Sequence, residues 1–156
     1  MIDMNEKVQR LVMHEGCRLK PYYCTKGKQT IGVGRNLDDN PLTEEEKRVC
    51  GDWEKGITKN AAFYLLRHDI ERVEKECKKK IAFYTLLDDE RQYALLDMAF
   101  NLGIAGLLKF KKMLMAMACG YFEDAAKECL NSKYAKEVGQ RSKRIAETIR
   151  TGKFRV

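Results

Sequence analysis

Glu15-Gly16-Cys17-Arg18-Leu19-Lys20-Pro21-Tyr22-Tyr23-Cys24-Thr25-Lys26-Gly27-Lys28-Gln29-Thr30-Ile31-Gly32-Val33-Gly34 changes its periodicity along its length. Before it, Asp3 to Glu15 puts Val8, Leu11 and Val12 on one helical face and stops at Gly16, a residue suited to the position after a helix. Leu19–Tyr23 and Gln29–Gly34 then read as two strands around a Thr25–Lys28 turn. Gly27, Gly32 and Gly34 argue against helix and allow backbone to approach closely.

Beyond this hairpin the pattern is helical. Thr43 with Glu46 predicts a capping box at a helix start, and Thr58 opens a helix to about Lys80 along Ala62, Leu65, Leu66, Ile70 and Val73. Further helices are expected near 89–101, 109–119, 121–131 and 141–150, and the only prolines are Pro21 and Pro41. One small hairpin followed by helices makes an α+β, predominantly helical fold with the strands segregated at the N-terminal end.

The 156 residues suffice for one domain with a real core, and 44% hydrophobic with 34% charged residues is a globular composition. The net charge of +7 is unevenly placed: residues 131–156 carry 8 basic and 2 acidic side chains, while 1–60 and 61–130 are close to neutral. A basic segment on a neutral body implies a polyanionic partner. No apolar run is long enough to span a membrane, and Asp3, Glu6, Lys7 and Arg10 interrupt any export signal, so the expected site of synthesis is the cytoplasm. The six cysteines, without a CxxC, then read as free thiols, and with only His14 and His68 a zinc site is not expected; no metal or cofactor is implied.

Glu15 is the first candidate for chemistry. A carboxylate at the negative end of a helix dipole is placed against the field, which favours the protonated form that a general acid needs; the plain alternative is a solvated surface glutamate. Cys24 follows after eight residues and Thr30 after five more. With Ile31-Gly32-Val33-Gly34, this segment resembles the active-site segment of the phage-type lysozymes, glycoside hydrolase family 24, whose pattern is Glu, eight residues, Asp or Cys, five residues, Thr. Gly56-Ile57-Thr58-Lys59, Met98-Ala99-Phe100-Asn101-Leu102-Gly103, Glu123-Asp124-Ala125-Ala126 and Arg141-Ser142-Lys143-Arg144-Ile145 resemble later family segments. The likeness covers residues 5–154.

That resemblance implies a single two-lobed domain over 1–156. A hairpin lobe at about 15–57 and a helical lobe of 81–156 plus 1–14 would be joined by the helix 58–80. It implies an endolysin that cleaves the β-1,4 bond between N-acetylmuramic acid and N-acetylglucosamine in bacterial peptidoglycan. Glu15 would protonate the glycosidic oxygen, and Cys24 with Thr30 would hold or activate water on the opposite face, an inverting arrangement. Cys24, where aspartate is commoner, is read in three ways: as water positioner or base, as filler, or as a nucleophile that would make the enzyme retaining. Arg141 matches a family arginine paired with the catalytic glutamate, and Phe100 and Asn101 fall where substrate is bound. Asp69 is expected to pair with Arg35 as an exposed ion pair tying the hairpin to the long helix. Met113, Leu114, Met115 and Met117 are expected in the core, and His14, His68 and Trp53 have no catalytic role.

The expected partners are peptidoglycan, an anionic outer-membrane surface touched by the basic C-terminal segment, and a holin to reach the periplasm; a monomer is expected. Two other classes remain: a lysozyme-fold wall-binding protein weakened by Cys24, and a basic helical nucleic-acid binder. The latter lacks a recognition helix or an aromatic-basic surface, so no nucleic acid is expected.

Overall fold

The computed structural model describes residues 2–154. Eight helices and a three-stranded antiparallel sheet follow in the order α1 (Met4–Glu15), β1 (Arg18–Tyr23), β2 (Gln29–Gly32), β3 (Arg35–Asn36), α2 (Glu44–Cys50), α3 (Lys59–Lys80), α4 (Asp89–Leu108), α5 (Lys111–Ala118), α6 (Phe122–Leu130), α7 (Lys133–Val138) and α8 (Gln140–Thr151). Single 3-10 turns lie at Trp53–Lys55 and Tyr84–Leu86. This is the predominantly helical α+β fold expected from sequence. The chain divides into two compact units, Asp3–Glu71 and Arg72 onward with Ile2. The first helix is thus grouped with the strands, which differs from the allotment of 1–14 to the helical lobe.

In the N-terminal unit α1 starts where Asp3 accepts the Glu6 amide at 2.9 Å and ends at Gly16, whose φ of 71° suits glycine and whose N–H donates to the Val12 carbonyl. The sheet order is β1-β2-β3. Arg18 pairs with Gly32 but Tyr22 with Thr30, so a bulge falls between Arg18 and Tyr22. Gly32 has a φ of 68°, and a Cβ there would stand 3.4 Å from the Ala62 Cβ, so the sheet lies directly on α3. Ile31, Leu37, Leu42, Ile57, Ala61, Ala62 and Leu65 form the core of this unit, with Cys17, Trp53 and Tyr64 packed against it.

One buried charge cluster ties these elements together. The Arg35 guanidinium donates to both Glu46 oxygens at 2.7 and 3.0 Å, to the carbonyls of Asn40 (2.9 Å) and Pro41 (3.2 Å), and meets Asp69 at 3.2 Å. The expected Arg35–Asp69 pair is present, but it is buried, with both side chains about 5% exposed, and Glu46 is its larger partner. Glu46 also completes the capping box: its Oε1 accepts the Thr43 amide at 2.9 Å and its own amide donates to Thr43 Oγ1 at 3.1 Å. His68 Nδ1 stands 2.9 Å from Glu46 Oε2, so this histidine is neither plain packing nor free surface. Burial alone would raise the Glu46 pKa; the Arg35 fork, the Thr43 amide and His68 outweigh it and hold the carboxyl at about 2.

In the C-terminal unit α4, α5, α6 and α8 pack around Leu95, Leu96, Met98, Leu107, Met113, Met117, Ala125 and Ile149. Arg91 of α4 donates to the carbonyls of Ile149 (2.6 Å) and Arg150 (2.9 Å) at the end of α8, while its guanidinium lies 3.6 Å over the Phe122 ring. Two expectations change here. The helix begun at Asp89 continues past 101 through a break at Gly103 (φ 77°, ψ 158°), and α7 is a helix the sequence pattern did not predict. Met113 and Met117 are core as expected, but Met115 is 70% exposed, because it lies on the opposite side of α5 from them. Among the described residues no single helix is long and apolar enough to cross a membrane, and α4 meets α5 at a bend of 100°.

Candidate active site

The hairpin turn is built around the side chain of Cys24. The Cys24 amide donates to the Lys28 carbonyl, and the Gly27 amide donates back to the Cys24 carbonyl, each at 2.9 Å. This closed loop aims the amides of Lys28 and Lys26 at the Cys24 sulfur. Those amide hydrogen bonds, Lys28 first, lower the thiol pKa; partial burial opposes them, and the Thr30 hydroxyl adds to the lowering. What Lys26 and Lys28 contribute to this lowering comes from their backbone. The Lys28 ammonium is turned away to Asp39 at 2.6 Å.

Thr30 is 4% exposed and its hydroxyl has two acceptors, the Lys28 carbonyl at 3.0 Å and the Cys24 sulfur. A single hydroxyl hydrogen serves one at a time, so Thr30 can stabilise a thiolate or release it to another donor such as water. The contrast with the other thiols is chemical. Burial raises Cys17 and Cys50 and pushes Cys77 and Cys129 up to about 12, whereas Cys24 lies below the ordinary value.

Glu15 ends α1, half-buried, in the same unit. Tyr22, directly opposite Thr30 across β1 and β2, links it to Cys24. Burial chiefly raises the Tyr22 phenol; the Arg18 guanidinium, 4.2 Å over its ring, opposes this, and the charges of Glu15, Cys24 and Cys17 raise it further. The Tyr22 phenol therefore holds its proton more tightly than an ordinary tyrosine. Tyr22 was not singled out from sequence. No spacing marks it, since its place opposite Thr30 comes from strand pairing.

The other expected residues belong to the C-terminal unit. Phe100 and Asn101 are half-buried in the turn of α4 that precedes Gly103, and the buried Asn101 Oδ1 has no hydrogen-bond donor among the described residues. Arg141, in the first turn of α8, donates from Nε to Asp97 Oδ1 at 2.9 Å. Asp97 is fully buried and accepts the Tyr93 hydroxyl at 3.2 Å. Asp97 lies one helical turn before Asn101, so a buried ionic anchor underlies the segment that carries Phe100 and Asn101. Nothing in the sequence marks Asp97, because its position inside an apolar helix gives no sign of its partner. Among the described residues no three His, Cys, Asp or Glu side chains gather as a metal site.

The described residues supply a carboxyl group, a thiol whose ionised form is favoured by backbone amides, and a hydroxyl that can hand a hydrogen bond to water. The family model for phage lysozyme matches residues 12–147. The chain is 30% identical to probable T4-type lysozyme 1 and 28% identical to probable T4-type lysozyme 2, both of Dictyostelium discoideum, over 88% of this chain and 89% of each relative. It is also 31% identical to the pre-baseplate central spike protein Gp5 of Enterobacteria phage T4, over 88% of this chain but 26% of that larger protein.

Proposed function

The chain belongs to the phage lysozyme family, a family of lysozyme-type glycoside hydrolases, and on that footing we propose that it is an endolysin. Its substrate is the β-1,4 bond between N-acetylmuramic acid and N-acetylglucosamine in peptidoglycan. The observation that carries this reading is the Cys24 side chain held by the Lys28 and Lys26 amides with Thr30 beside it.

Glu15 gives its proton to the glycosidic oxygen as the bond to the leaving sugar breaks. On the other face a water, held by Thr30, attacks the anomeric carbon and passes a proton to the Cys24 thiolate. Both groups then return to their starting states by exchanging protons with solvent. The amide cradle makes the base reading stronger than filler, since filler needs no anion-stabilising donors. Phe100 and Asn101 contact the glycan, and Arg141 contributes charge at the substrate site.

The test is loss of turbidity in a bacterial wall suspension, with the product anomer read by NMR. Wild type clears the suspension with inversion and Glu15→Gln does not. Inertness of both proteins, with wall binding intact, would overturn the enzyme reading; retention would reassign Cys24 as nucleophile.

A further inference from the structure

From Met98 to Phe122 the chain contains no acidic residue, and its only charges are Lys109, Lys111 and Lys112. The structure puts these three lysines, all exposed, on the α4–α5 corner and the first turn of α5. Among the described residues none of them has an ion-pair partner. They line a cavity of about 390 Å³ together with Phe110, Met113 and one carboxylate, Glu128, which leaves its mouth positive.

The outer face of α5 continues this surface with apolar side chains. At about 100° per residue, Lys111, Lys112, Met115, Ala118 and Cys119 share one arc, opposite the buried Met113 and Met117. Met115 is 70% exposed, and Tyr121, just past the helix, is 64% exposed. An exposed thioether and an exposed phenol ring thus stand beside three ammonium groups that have no ion-pair partner among the described residues. A soluble anion or a hydrated sugar polymer would be met by the lysines alone. A bilayer of anionic lipid presents phosphates to the lysines and, a few ångströms deeper, acyl chains to Met115, with Tyr121 at the boundary.

We propose that the α4–α5 corner and the outer face of α5 are a docking surface for an anionic phospholipid bilayer. The lysines meet lipid phosphates, one headgroup entering the cavity, and Met115 and Tyr121 enter the interface. The attachment is shallow and reversible, since one short helix face is involved. It goes beyond the glycosidase reading and does not depend on it.

The experiment is co-sedimentation of the full chain, as Glu15→Gln so that hydrolysis plays no part, with vesicles. One set contains phosphatidylglycerol in phosphatidylcholine and the other phosphatidylcholine alone. Binding is expected to the first set only. Replacing Lys109, Lys111 and Lys112 together by Gln should weaken it about a hundredfold, about fivefold for each charge. Met115→Ser with Tyr121→Ser should remove the part that survives high salt, and a Tyr121→Trp reporter should shift its emission to the blue on binding. Equal vesicle binding by the triple lysine variant would overturn the proposal. So would unchanged vesicle binding accompanied by lost binding to purified wall sacculi, which would make the lysines a wall-polymer site. These outcomes are separable from failure of the glycosidase reading, because no arm measures bond cleavage.

Discussion

Cys24 shows how much one side chain owes to the backbone around it. A thiol with no help is a poor base at neutral pH, being only a few per cent ionised. Here the Lys28 and Lys26 amides stabilise the ionised form, and these donors exist only in the closed turn. In the proposed mechanism the active state is the thiolate, so activity should rise with pH along a limb lying below the ordinary thiol value. In Cys24→Asp the limb should move strongly to acid, since a carboxyl group titrates lower still. Cys24→Ala should lose about 10²–10⁴ of the rate, the usual contribution of a positioned base. A pH–rate profile of the three proteins checks all of this, and an Ala variant of full activity would make Cys24 filler. Glu15, Cys24 and Thr30 are named as a site only by the resemblance of their segment to the phage-type lysozymes, and neither the amide cradle nor Tyr22 is visible in that segment. Both arise from hydrogen bonds and cross-strand neighbours that no linear pattern encodes.

At the scale of the element, α2 is more than a capped helix. Thr43 and Glu46 announce a helix start in the sequence, and that much was legible. The pattern does not reveal that the capping carboxylate is 1% exposed and also accepts the fork of Arg35 and the ring of His68. Periodicity describes a face of one helix; it is silent on which side chain from another element arrives there. Breaking a buried pair leaves an uncompensated charge, so Glu46→Gln should cost about 3–5 kcal/mol in a chemical denaturation series. Asp69→Asn should cost less, about 1–3 kcal/mol, because Arg35 keeps its Glu46 fork. This exceeds what an exposed pair would give, and an unchanged midpoint would refute it. The pH dependence follows from a folded pKa lowered to about 2 from an ordinary 4.5. The unfolded chain takes up the proton first. The stability from Glu46 is therefore present above about pH 4.5 and drains away as pH falls towards 2. In Glu46→Gln that segment of the acid-unfolding curve should flatten. Short or interrupted elements were the other gap: α7 spans too few residues for a period to emerge, and the Gly103 break is a backbone event inside an otherwise helical pattern.

At the scale of the whole molecule, charge and chain continuity matter most. Nearly all the net charge of +7 lies in residues 131–156, close to α8. Exposed charges are screened over about 8–10 Å at ordinary salt, so the expected attraction of this segment to an anionic wall should weaken steadily between low and moderate ionic strength. Wall binding measured across that range checks this; indifference to salt would refute an electrostatic role for the segment. The helix Lys59–Lys80 is uninterrupted, yet the division into compact units falls within it, at Glu71 and Arg72. A rod of hydrogen bonds that belongs to both halves cannot melt for one and remain intact for the other. Fraying on either side removes the register on which the next turn depends. The two halves should therefore unfold as a single cooperative event, with calorimetric and van't Hoff enthalpies in agreement. Glu71→Pro, which deletes a backbone bond at the division and costs about 3 kcal/mol locally, should split that event into two. A single covalently continuous helix would then be what makes one thermodynamic body out of two hydrophobic cores.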